Sequence, residues 1–314
     1  MNVGFYIKWP KGSLNSRQNV VGDELHAEGM MRVLRKYTDI RDCDLYAPNH
    51  IPEKKLDVMI YLNDTPPDER WARKHVLYMQ NAFGEGSDKV LASFRKMKID
   101  GYAFISNKLL SLHRKAGYSG IFLPFGVDVS LFYPRPKEDR YAFEVSYIGN
   151  DIKGEMRSNL YLLPATRFRF GLFGNWRTQK LFWRNRPYQR VFAKISRGRI
   201  AQEDVPILYS SSLINLNCTA QDCVDWDVIT LRTYEILACK GFVITDRVPV
   251  AEQELKDCVV FTEGGKDLLE KIEYYLARPE ERERISRNGY EHVSKNATMD
   301  SRMNTLMEYL REIV

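Results

Sequence analysis

The chain has 314 residues, of which 44% are hydrophobic and 28% charged, and a formal net charge of +6. That length suits two domains of roughly 150 residues, and the composition excludes a disordered chain. No apolar run reaches the roughly 18 residues a membrane-spanning helix needs, and MNVGFYIKWPKG reads straight into a strand without signal-peptide flanks, so a cytoplasmic protein without a transmembrane segment is expected.

The first half alternates short apolar runs with amphipathic segments. VGFYIK (3–8), CDLYA (43–47), LDVMIYL (56–62), HVLYMQ (75–80), GYAFIS (101–106) and IFLPFG (121–126) read as strands. Helices are expected at 22–36, 87–97 and 107–116, which predicts a largely parallel sheet covered on both faces. PFGVDVSLFYPRPKEDRY (124–141) breaks this rhythm with prolines and a charge cluster and reads as an interdomain linker. The second half restarts the pattern. Strands are expected at 143–149, 167–174, 213–217, 242–246 and 258–263, and helices at 153–163, 203–211 and 228–239. From Gly265 the chain reads as helical and charged, with Pro279 at a first helical position. Met303, Leu306, Met307 and Leu310 recur near period 3.6, so one face of a last helix over 299–313 should dock.

Five cysteines at irregular spacing, with no CxxC, point to reduced and mostly buried thiols. The five histidines make no HExxH or HxH spacing, which speaks against a histidine-held metal. His26 reads as a helix-face histidine and His75 as a core residue at the start of a strand. Between Met156 and Gln202 there is no Asp or Glu, while eleven Lys or Arg fall there. An anionic partner is therefore expected. Within it, NWRTQKLFWRNRPYQR (175–190) interleaves basic and aromatic residues, a pattern suited to phosphates and bases. A nucleic-acid acceptor and a role confined to an anionic donor or an acidic polymer both fit it.

DWDVITLRTYEILACKGFVITDR (225–247) is the densest stretch. Read as a loop entering a helix near Val228, it places Asp227 at the N-cap. Thr230, Leu231 and Arg232 then fall in the first turns, where free N–H groups and the helix dipole suit a phosphate. Glu235, three residues beyond Arg232, lies on the same face and could accept both hydroxyls of a ribose. On spacing alone, a surface ion pair between Arg232 and Glu235 fits equally well.

The stretch DVITLRTYEILACKGFVITDR resembles the C-terminal signature of glycosyltransferases of the GT-B fold. It is most similar to the CgeB-like, spore-maturation branch, whose pattern is LRxFEaxAcGgfxltD. Asp227 and Glu235 have the family's Glu-x7-Glu spacing, with Asp in the first place. LPFGVDVSLFYP (123–134), VSYIGNDIKGEMR (145–157), PEERERISRNGYEHV (279–293) and, more loosely, VVGDELHAEGMMRVL (20–34) match the same group in order. The resemblance implies an α/β protein of two Rossmann-like domains facing a cleft. An acceptor-side domain would span 1–128 and a linker 129–140. A nucleotide-sugar domain would span 141–298, and a helix over 299–314 would pack on the first domain. It implies a glycosyltransferase, retaining and metal-independent, with no cofactor beyond its co-substrate, a nucleotide-diphosphate sugar of the UDP type. Gly149, Asn150, Lys153, Arg157, Thr230, Leu231, Arg232 and Glu235 would hold that donor, with Lys153, Arg232 and Asp227 nearest the chemistry. Where the family has Gly-Arg, this chain has Gly149-Asn150. Asp225-Trp226-Asp227 spells a metal-binding D-x-D, which the resemblance argues against. Acceptor-side candidates are Gly22, Asp23, Glu24, His26 and Asn81, with a hydroxyl acceptor such as a modified base in phage-type DNA. A basic nucleotide- or nucleic-acid-binding protein without turnover is the alternative.

Overall fold

The computed structural model describes residues 1–12, 22–62, 65–80, 96–151, 153–176 and 187–314. They divide into two compact units. The first comprises Met1–Gly126, Trp226–Val228 and Met299–Val314, and the second Val127–Asp225 and Ile229–Thr298. Asn81, most of the helix expected over 87–97 and the centre of the basic stretch lie outside the described residues.

The first unit begins β1 (Asn2–Tyr6), α1 (Gly22–Leu34), β2 (Asp42–Tyr46), β3 (Leu56–Tyr61), β4 (Ala72–Met79), β5 (Gly101–Phe104), α2 (Asn107–Lys115) and β6 (Ile121–Phe122). Its strands form one parallel sheet in the order β2-β1-β3-β4-β5-β6. Both faces are covered, so β3 is buried at every residue except Asp57, and the alternation of a one-sided strand is absent. Ser106 sets the start of α2. It is extended, and its hydroxyl accepts from the N–H groups of Lys108 and Leu109 at 3.1 and 3.2 Å.

The second unit runs β7 (Val145–Ile148), α3 (Glu155–Tyr161), β8 (Phe170–Phe173), α4 (Pro187–Ile195), α5 (Val205–Ser211), β9 (Ile214–Asn217), α6 (Gln221–Asp225), α7 (Leu231–Ala238), β10 (Val243–Asp246), α8 (Pro249–Glu254), β11 (Val260–Thr262), α9 (Gly265–Leu276) and α10 (Pro279–Asn296). Its sheet is parallel in the order β11-β10-β9-β7-β8. The chain leaves β7 for β8 on one side, then crosses to β9 on the other. Loops after β7 and β9 therefore part company at the carboxyl edge, where sheets of this kind take ligands. Trp176 and Phe192, both from the acid-free stretch, are fully buried beside Tyr147 and Leu172, so these two rings build core. The proline-rich segment 129–140 groups with this unit, and Arg140 and the Tyr141 hydroxyl both bond Asp204, at 2.9 Å.

The last helix, α11 (Met299–Ile313), groups with the first unit and packs on α1. Met303, Leu306, Met307 and Leu310 are buried along one face. Tyr309 accepts the N–H of Tyr102 at 3.0 Å, and Lys36–Asp300 and Arg311–Asp39 pair across its rim. Among the described residues, no helix is long and apolar enough to cross a membrane.

Candidate active site

The carboxyl edge of β7, β9 and β10 gathers charged and polar side chains within the second unit. The loop after β7 is pinned first. Gly174 has φ +121, and a Cβ there would lie 2.1 Å from the Gly149 carbonyl, so the two loops approach closer than any side chain allows. Gly149 donates its N–H to Phe173 at 3.0 Å, and the Asn150 side chain accepts from the Asn175 N–H at 2.9 Å. Asn150, standing where the family carries Arg, thus fastens two loops together.

Past this anchor the loop delivers Lys153, half-buried, two residues before α3. Burial pulls its ammonium pKa down to about 8, with the Arg232 charge adding to the effect. Arg232 comes from the first turn of α7. It donates to Asn217 Oδ1 at 3.0 Å and lies over the Tyr147 ring at 5.1 Å. Burial opposes its charge, but the Tyr147 and Tyr209 hydroxyls and Glu235 more than offset this and raise its pKa. The Tyr147 hydroxyl, buried beside Gly149, finds no hydrogen-bond partner among the described residues.

The start of α7 differs from the sequence expectation. The helix begins at Leu231, not Val228, and its N-cap is Thr230 in extended conformation. The Thr230 hydroxyl bonds Asn217 Oδ1 at 3.2 Å rather than capping the helix, which leaves first-turn N–H groups without a side-chain acceptor. Asp227 is therefore not the cap. It holds φ +60, a left-handed conformation that Asp and Asn tolerate best among residues with a side chain, and groups with the first unit. Neither is there an Arg232–Glu235 ion pair among the described residues, because Arg232 is turned toward Asn217 and Tyr147. The Glu235 carboxylate makes no hydrogen bond or ion pair among the described residues, and burial raises its pKa to about 7 against the opposing pull of Arg232.

Arg157 departs furthest from expectation. Its Nε donates to the Thr219 carbonyl at 2.6 Å, Nη1 to Gln221 at 3.0 Å and Nη2 to Asp246 in a buried ion pair. Asp246 in turn accepts from the Thr219 N–H at 3.1 Å and hydroxyl at 2.9 Å. All three guanidinium nitrogens thus hold the carboxyl ends of β9 and β10 together, where a diphosphate contact had been expected. Asn217, Thr219, Asp246 and Tyr147 were missed from the sequence. For Asn217 and Asp246 the signal was a polar residue ending an otherwise apolar strand, as in LINLN and FVITD.

In the first unit, Gly22 opens α1 at the surface and Asp23 is partly buried behind it. Glu24 turns inward and accepts the Gly12 N–H at 2.8 Å, holding the chain that leaves β1. His26 is buried, edge-on to Phe125 with centroids 5.5 Å apart. These four residues lie together at the beginning of one helix. His75 is buried in mid-strand, its Nδ1 3.0 Å from the Tyr61 hydroxyl. Cys43, Cys218, Cys239 and Cys258 are buried thiols and Cys223 is partly buried.

Residues 157–308 match the family model described as Glycosyl transferase-like. No curated protein matches the chain by sequence. Among solved structures the chain is similar to sucrose-phosphate synthase from Thermosynechococcus elongatus, with TM-score 0.68 and 12% identity over 99% of this chain and 98% of that one. It is similar to Anabaena HepE in complex with UDP-glucose, with TM-score 0.67 and 10% identity over 99% and 100%. It is also similar to the DNA-modifying enzyme beta-glucosyltransferase, solved with and without uridine diphosphoglucose, with TM-score 0.63 and 14% identity over 99% and 100%. Two parallel-sheet Rossmann-like units in this order are the GT-B architecture. The glycosyl transferase-like match over residues 157–308, just under half of the chain, lies on that fold and falls mostly in the second unit.

Proposed function

We propose that the second unit binds a UDP-sugar at the crevice between β7 and β9, and that the enzyme transfers the sugar to a hydroxyl acceptor. The observation that carries this reading is the set of unmatched charges there: Lys153, Arg232 and a carboxylate, Glu235, without a protein partner among the described residues. The uncapped start of α7, Arg232 and Lys153 receive the diphosphate. Glu235 accepts the ribose hydroxyls. In the transfer, the bond from the sugar's anomeric carbon to the diphosphate oxygen breaks, and a bond to the acceptor oxygen forms. The acceptor's proton passes to the departing phosphate, with retention at the anomeric carbon. Charge developing on that phosphate meets two fixed cations, so the step runs without a metal or cofactor. Within this scheme Arg157 is a positioning residue, and the CgeB-like branch remains the relative whose motifs fit best.

The acid-free stretch favours an anionic acceptor, and a base in modified DNA is the proposed case. The beta-glucosyltransferase that this chain resembles in fold is itself a DNA-modifying enzyme. The test is incubation with UDP-sugars, with and without hydroxymethylated DNA, and mass spectrometry of the products. Release of UDP with a hexose added to the DNA is expected, and Arg232→Ala should cut the rate about 100-fold. If no nucleotide sugar is consumed and none raises the melting temperature, the chain is a binding protein and the transferase reading fails.

A further inference from the structure

The second unit holds a cavity of about 420 Å³ at the opposite edge of its sheet, where β9 and β10 begin. Basic residues reach it from three separate segments. Arg135 and Lys137 come from the proline-rich stretch, Lys240 follows α7, and Arg282 lies in the first turn of α10. Their positions are fixed by local geometry. Lys240 holds φ +56 at the end of α7, where Gly241 donates back to the Ile236 carbonyl at 2.9 Å. Arg135 stacks on Tyr133 at 3.9 Å, and its Nε is buried with no hydrogen-bond partner among the described residues. Arg282 is held by Nη1 bonds to the Tyr275 and Leu276 carbonyls.

Four cations face one carboxylate in this wall, Glu283, which lies 3.5 Å from Arg287 outside it. Among the described residues, Arg135, Lys137 and Lys240 have no carboxylate partner. The hydroxyls of Ser210 and Ser212 donate to the carbonyls of Cys239 and Tyr141, so these two are already engaged. A cavity of this size admits a small ligand rather than a polymer, and several unmatched cations select a multiply charged one. Eight residues of α7 separate it from the Arg232 end, about 12 Å of helix.

We infer that this cavity is a second binding site, for a small phosphate-bearing dianion, distinct from the nucleotide-sugar site. A phosphate monoester and free pyrophosphate share that chemistry. Calorimetric titration of the full chain with pyrophosphate and, separately, glucose 6-phosphate distinguishes them. Lys137 and Lys240 are exposed and outside the proposed transfer machinery, so Lys137→Gln with Lys240→Gln should leave fold and basal turnover unchanged. At least one probe should bind the wild type and Arg232→Ala alike, and the double variant should weaken it about tenfold or more. Binding lost in Arg232→Ala but kept in the double variant would put the anion in the donor site and overturn the inference. So would failure of both probes to bind, including the case where duplex DNA alone loses affinity in the double variant. Failure of the donor reading would leave these titrations intact, because they use no nucleotide sugar.

Discussion

Two clusters share the carboxyl edge of the second sheet and differ in one respect. Around Asp246, every charge has a partner: the Arg157 guanidinium, the Thr219 N–H and hydroxyl, and the Gln221 side chain close the set. Around Arg232, charges are left over. Lys153 and Arg232 repel one another, and Glu235 has burial without a bond. A satisfied buried pair holds strands together and gains nothing from a ligand. An unsatisfied set costs stability in the empty protein, and an occupant with matching charge recovers it. Both clusters draw on Arg residues expected to hold a diphosphate, and only the partners tell the two apart.

The sharpest way to break the comparison is to open the closed cluster. Arg157→Ala leaves Asp246 buried without its cation, which should cost about 3–5 kcal/mol of stability. Denaturant unfolding would measure it. If the loss is under about 1 kcal/mol while donor affinity collapses, then Arg157 belongs with the ligand-binding set.

Glu235→Gln tests the open cluster and should have the opposite sign. The carboxyl pKa is about 7 in the folded chain against 4.5 in a free side chain. Folding therefore favours the protonated form. Its contribution is full below about pH 4.5 and is lost as pH rises through 7. The amide escapes this loss, so the variant should match the wild type near pH 4 and exceed it by about 3 kcal/mol at pH 8. Donor affinity should fall tenfold or more, since the amide replaces one acceptor oxygen with an NH2 that can only donate and removes the charge that strengthens both bonds. In the wild type, donor binding should strengthen as Glu235 ionises near pH 7 and weaken above about pH 8 as Lys153 loses its proton. A stability difference that ignores pH, or a donor affinity flat from pH 6 to 9, would remove Glu235 from the site.

The sequence pattern carried the sheets well because buried parallel strands are short apolar runs bounded by turn residues, as in LDVMIYL and FVITD. It carried α11 for the same reason, through the spacing of Met303, Leu306, Met307 and Leu310. Side-chain direction was not legible. Nothing in the spacing of Lys153 and Arg157 says that one lines the crevice while the other is drawn inward by Asp246, a residue 89 positions away. The start of α7 was misplaced because Asp227 is a better N-cap by type than Thr230, yet the left-handed turn at Asp227 delays the helix by three residues. A long-range bond to Asn217 then uses the Thr230 hydroxyl that local rules assign to capping.

Asp227 fits neither cluster, and the smallest expected effect follows from that. By spacing it stands where related enzymes carry a carboxylate, but its φ of +60 gives a reason for Asp that needs no chemistry. Asp and Asn both tolerate that conformation, whereas a Cβ without a short polar group pays about 1 kcal/mol there. Asp227→Asn keeps the backbone preference and removes the charge, so stability should hold and turnover should stay within about twofold. Asp227→Ala should lower stability by about 1 kcal/mol through strain alone, again with turnover largely retained. Melting curves and initial rates for the pair separate backbone from charge. A hundredfold loss of rate in Asp227→Asn, at an unchanged melting temperature, would make the carboxylate part of the transfer step.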